Sequence, residues 1–222
     1  TQNVAVGAFA LDANTTASNS TAIGHLALSA SNVSGSTAVG HRALTSNTTG
    51  NGNIAVGKDA LYTNTTGQYN IAIGYDSLQQ NTTADSNVAV GHDALKLNTT
   101  GDYNTGIGAN ALDSQTTGTV NTAVGYKAGH NVTTSQDHTH IGAYAGVTVS
   151  NQSHTTYIGA YSGYHMSNTG NTAVGYRTLV GSSGSSDGFS NTAVGYKSLE
   201  DITGGDNNTC LGYETGRDTT TG

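Results

Sequence analysis

The chain has 222 residues, a formal net charge of −7 and only 7 Lys plus Arg. So little positive charge argues against an electrostatic grip on nucleic acid or on anionic membrane surfaces. No apolar run approaches the roughly 20 residues a membrane-spanning helix needs, and the single cysteine, Cys210, excludes an intrachain disulfide.

From its first residues the chain repeats. Asn3–Gly7, Asn53–Gly57, Asn70–Gly74 and Asn87–Gly91 are copies of one unit, each closing on a glycine. The closing glycines are Gly7, Gly24, Gly40, Gly57, Gly74, Gly91, Gly108, Gly125, Gly142, Gly159, Gly175, Gly195 and Gly212, thirteen in all. Their spacing is 17 residues except for two intervals of 16 and one of 20. A fixed period of this length marks stacked coils rather than an ordinary globular core. The whole of 1–222 is therefore predicted to be a single all-β repeat domain of thirteen coils. The pattern is already running at both ends of the sequence, which predicts a piece of a longer fibre or adhesin.

Positions are numbered from the closing glycine. Position −1 is always Val, Ile or Leu and −3 is Val, Ile or Thr, while −2 is usually Ala. Side chains alternate along a strand, so one face is largely β-branched and the other small. Both faces read as buried. Position +3 is Ala, Ser or Thr in most copies, +4 is usually Leu, and +2 varies (Arg42, Asp59, Asp76, Asp93, Lys127) and is predicted to face solvent. An Asn-Thr-Thr-Gly turn follows in several copies. The reading is two short strands per coil, with each coil about 4.8 Å above the last and a rod on the order of 60 Å long. So thin a roll cannot bury two apolar faces alone, which predicts self-association.

Copies such as Ser20–Leu28 and Asn121–Ala128 resemble the head repeats of YadA-like trimeric autotransporter adhesins. They resemble at least as closely the repeats of phage tail fibres, in which Asn-Thr-Ala-Val-Gly-Tyr and Asn-Thr-Thr-Gly strings alternate. The resemblance implies a left-handed parallel β-roll (a β-solenoid) and a homotrimer. It also implies an extracellular setting, on a virion tail fibre or a bacterial cell surface, and a role in host attachment through a cell-surface glycan or protein receptor.

Further along, the coils between His138 and Gly163 break the rule: His140 and Tyr157 occupy the small column, and Gly129, Gly146 and Gly163 replace Leu. Aromatic rings suit sugar faces, so Tyr144, Tyr161, His138 and His154 are the candidate binding residues. The competing reading is a packing variant in which rings fill the space of lost leucines, and it is the favoured one. Tyr144 and Tyr161 are expected to be exposed and stacked, and His140 and Tyr157 to be buried. The 20-residue interval contains Gly181–Gly188, read as a loop bulging from one coil.

Asp59, Asp76 and Asp93 share the +2 column, and repulsion between neighbouring carboxylates is expected there. A solvated column is favoured over a calcium site, which needs six to eight oxygen ligands. No metal, cofactor or catalytic set stands out. Asn-x-Ser/Thr sequons occur at Asn14, Asn47, Asn64, Asn81, Asn98 and Asn131. The alternative function is a monomeric solenoid that binds ice or a ligand through a flat Thr/Val face. Its Thr column runs through Thr105, Thr122, Thr139, Thr156, Thr172, Thr192 and Thr209.

Overall fold

The computed structural model describes residues 2–182, 188–217 and 219. It is a β-solenoid built on one 13-stranded parallel sheet whose strand order is the sequence order. The strands run from β1 (Val4–Val6) through β4 (Ile54–Val56) and β9 (Thr139–Ile141) to β13 (Thr209–Leu211), each of 3 residues. Pairing never slips: −3 lies beside −3 and −1 beside −1, as in Ile54↔Ile71 and Val56↔Ile73. The 16- and 20-residue intervals keep the same register, with Thr21↔Thr37, Thr156↔Thr172 and Thr172↔Thr192. The interval 183–187 of the expected loop lies outside the described residues.

The structure corrects the expectation of two strands per coil. The Ala-Leu half is a run of turns. Here +2 and +4 adopt left-handed backbone angles, as at Asp76 (φ 53°) and Leu78 (φ 48°). Such angles strain a residue with a Cβ. Coil-to-coil hydrogen bonds hold them in place, Leu61 N–H to the Ser77 carbonyl at 3.1 Å and Asp76 N–H to the Lys58 carbonyl at 3.1 Å. The leucines are fully buried in return: Leu28, Leu44, Leu61, Leu78, Leu95 and Leu112 expose no surface. The closing glycine is required by contact. A Cβ on Gly57 (φ 143°) would lie 2.2 Å from the carbonyl oxygen of Gly74.

The core is the space between −2 on the sheet and +3 and +4 on the turn side. Two ladders of buried amides close it. At −4, Asn53, Asn70, Asn87, Asn104 and Asn121 are fully buried. Each accepts at Oδ1 from the backbone N–H of the next member, as Asn70 does from Asn87 at 2.9 Å. At +7, Asn64 donates from Nδ2 to Asn47 Oδ1 at 2.9 Å, and Asn81 to Asn64 at 2.8 Å. The Asn-Thr-Thr-Gly asparagines are thus clamps aimed inward. None of Asn47, Asn64, Asn98 and the equivalent Asn81 takes a left-handed angle, so the position needs the side-chain amide and not backbone freedom. Buried amides need partners, and the next coil supplies them.

Candidate interaction faces

Only the −2 side of the sheet is buried within the chain. The other side leaves −1 and −3 partly or well exposed along the whole length: Val6 56%, Ile23 40%, Ile73 40%, Ile107 38%, Ile141 37% and Leu211 65%. The threonines of the late coils stand on that side in unbroken register from Thr105 to Thr209. Rings at +1 flank this face, stacked coil on coil. His25–His41, Tyr75–His92 and Tyr196–Tyr213 lie 5.4, 5.4 and 5.3 Å apart with interplanar angles of 12°, 13° and 7°.

A second aromatic group surrounds Tyr144 and Tyr161. Their rings stack at 5.1 Å and 15°. Tyr126 meets Tyr144 edge-on at 5.2 Å, and Tyr164 leans on Tyr161 at 5.7 Å. The packing leaves Tyr144 and Tyr161 half-buried, less open than the sequence suggests. Stacked rings turn faces toward each other, so solvent meets chiefly their edges and hydroxyls.

The other two candidates stand apart from this group. His154 is exposed, at position −5, with Nε2 3.4 Å from Asp137. His138 is a correction: it is 2% exposed and belongs to the interior. It occupies the −4 ladder, its backbone N–H donating to Asn121 Oδ1 at 3.1 Å. Its ring joins a buried chain in which Ser135 Oγ lies 2.9 Å from Nε2 and Thr155 Oγ1 lies 2.7 Å from Nδ1. Thr155 also meets His140 Nε2 at 2.9 Å. The Ser135 hydroxyl donates to the Ser150 carbonyl at 3.2 Å. That fixes the direction of the rest: His138 Nε2–H donates to Ser135, Thr155 donates to His138 Nδ1, and His140 Nε2–H donates to Thr155. Both rings are neutral in this arrangement. Burial pushes the His138 pKa down to about 4. Burial, and then the neighbouring His138, hold His140 well below the ordinary range. The position of His138 in the −4 column was the signal in the sequence, since that column holds Asn in most coils.

The +2 column also needs correcting. Asp59 and Asp76 are 2% and 6% exposed, not solvated. Arg42 donates to both Asp59 oxygens, at 2.7 and 2.8 Å, and Lys58 stands 3.3 Å away. Burial raises the Asp59 pKa, but the hydrogen bonds from Arg42 and Lys58 outweigh it and hold the carboxyl below its usual range. Lys96 bridges Asp76 and Asp93 at 3.2 and 3.0 Å. Basic side chains from neighbouring positions thus replace the expected repulsion. Glu200 repeats the device near the C-terminal end, buried among Arg177, Lys197 and Arg217. Among the described residues no group of three or more His, Cys, Asp or Glu could hold a metal ion, and no helix is long and apolar enough to cross a membrane.

Comparison of the chain with protein-family models, with curated proteins and with solved structures returned no match.

Proposed function

We propose that this chain is a structural and adhesive fibre segment, a rigid left-handed β-roll that works as a homotrimer on a phage tail fibre or bacterial surface adhesin. The observation that carries the reading is the open side of the sheet. In-register columns of Val, Ile and Thr run uncovered along all thirteen strands. A continuous apolar stripe of that length marks an interaction face, and a symmetric oligomer buries it without a second gene product. The work of such a segment is mechanical: it holds length and presents contacts, and no residue in it acts as a catalyst. Tyr144 and Tyr161 contribute a weak contact to a host-surface glycan or protein, multiplied by three copies.

The test is the mass of the folded chain in solution by light scattering. Three times the 22.4 kDa of one chain is expected. A single-chain mass, with β-structure intact by circular dichroism, would overturn it. One observation favours a second reading, a monomeric solenoid ordering water on its Thr/Val face: the threonine register from Thr105 to Thr209 is unbroken and open in the single chain. That reading requires the single-chain mass together with thermal hysteresis.

A further inference from the structure

A groove of about 400 Å³ lies away from both the sheet face and the tyrosine group, on the turn side between Arg42 and Thr99. That volume is within the range of small-ligand sites. Its groups are specific in what they offer. The Tyr62 ring forms part of the wall, with the Arg42 guanidinium 4.7 Å from its centroid. The Arg42 guanidinium is paired through two of its five N–H groups with Asp59, which compensates its charge. Along the adjoining +2 column Arg42, Lys58 and Lys96 stand against Asp59, Asp76 and Asp93, so the charges beside the groove balance.

The hydrogen-bonding groups are equally defined. The side-chain amides of Gln79 and Gln80 are uncommitted among the described residues and supply both donors and acceptors. Three threonines line the same groove with their protons already spent. Thr63 donates to the Gln79 carbonyl at 2.8 Å, Thr82 to the Thr99 carbonyl at 3.0 Å and Thr99 to the Thr116 carbonyl at 3.0 Å. Each hydroxyl oxygen keeps lone pairs for an incoming O–H. An aromatic wall, free amides, acceptor-only hydroxyls and a neutralised charge suit one ligand class: an uncharged sugar, with C–H groups for the ring and hydroxyls for the amides and threonines.

We infer that this groove binds a neutral pyranoside. The inference does not rest on the trimer or fibre reading, because the groups come from adjacent coils of one chain. Saturation-transfer NMR on the whole chain, with the methyl glycosides of glucose, galactose and N-acetylglucosamine as probes, tests it. At least one probe should bind, and the paired change Gln79→Ala with Gln80→Ala should weaken it about tenfold, as expected for two lost hydrogen bonds. Tyr62→Ala should do the same. The amide pair is partly or well exposed, so its melting temperature serves as the folding control. Tyr144→Ala with Tyr161→Ala should leave this binding unchanged. The inference fails if none of the three probes binds, if binding survives both groove variants, or if it is lost in the tyrosine pair. It fails also if the methyl glycoside of sialic acid binds more tightly, which would put Arg42 rather than the amides in charge. None of these outcomes alters the solution mass that tests the fibre reading.

Discussion

The coils closing at Gly57, Gly74 and Gly91 and those closing at Gly142 and Gly159 share one backbone and fill it in opposite ways. In the first set a small −2 residue (Ala55, Ala72, Ala89) faces a large +4 residue (Leu61, Leu78, Leu95), all fully buried. In the second set the sizes are exchanged. His140 faces Gly146 and Tyr157 faces Gly163, yet the +4 angles stay alike, φ 48° at Leu78 against 58° at Gly146 and 62° at Gly163. The exchange is forced by contact. A Cβ on Gly146 would lie 2.5 Å from His140 Cε1, and one on Gly163 would lie 2.4 Å from Tyr157 Cδ2. The +7 residue changes with them, from Asn64, Asn81 and Asn98 to Val149 and Met166, all buried. In these two sets the same space is filled from opposite sides of the coil.

The largest expected effect tests that exchange. Gly146→Leu alone should cost about 3 kcal/mol by overpacking, and His140→Ala alone a similar amount by leaving a cavity. The pair together rebuilds the Ala72 and Leu78 arrangement and should recover most of the loss in a urea double-mutant cycle. A double variant no more stable than the worse single one would show that the two columns do not trade volume.

Acid should separate the same two regions. His138 is held neutral in the fold, so its pKa falls from 6.5 in the unfolded chain to about 4. Below pH 6.5 the unfolded chain binds the extra proton, and stability declines as pH drops toward 4 and then levels for this group. The loss is on the order of 3 kcal/mol, and His140 adds in the same direction. Asp59 loses stability in the same direction but in a lower window: its contribution is present above its unfolded value of 3.8 and is lost only as pH falls below that. Melting temperatures from pH 7 to 4 should therefore fall in the parent and less steeply in His138→Asn, which places at −4 the residue type found at Asn121 and leaves only His140 to respond. Equal slopes in the two would remove His138 as a source of the acid sensitivity.

The smallest effect concerns what lies outside the core at +2, charges in the early coils and tyrosines in the later ones. Asp76→Asn removes one partner of Lys96 and should lower stability by up to about 1 kcal/mol, less at high salt. A stabilising effect would restore the repulsive column that the sequence suggests.

The repeat, the parallel stacking and the inward alanine column were legible because each needs only a period and an alternation of side chains. The packing reading of the His138–Gly163 coils was legible too, since Leu disappears in the same coils in which His140 and Tyr157 enter. Three features were not. The Ala-Leu half looks like a strand because its apolar pattern says nothing of φ, and left-handed angles at Leu61 or Leu78 contradict the preference of the residue. The +2 carboxylates look solvated because their partners are set by side-chain reach, as with Arg42 on Asp59 and Lys96 on Asp76. His138 reads as a binding candidate by residue type, and only its place in the −4 column marks it as interior.

Because neighbouring coils are so alike, their stacking carries a hazard of its own. The units closing at Gly57, Gly74 and Gly91 are interchangeable, and a winding chain that skipped one of them would still find an alanine, a leucine and an asparagine waiting at each place. The later coils do not permit the substitution. Gly129 leaves its opening between Leu112 and His140, Thr155 must stand between two imidazoles, and the His140 ring must meet Tyr157 at 5.2 Å. Only one neighbour satisfies each of these. A shift of one whole coil keeps the alanine, leucine and asparagine columns of the early half matched, but it cannot keep these contacts, so the irregular coils serve as an index mark on a nearly uniform ruler.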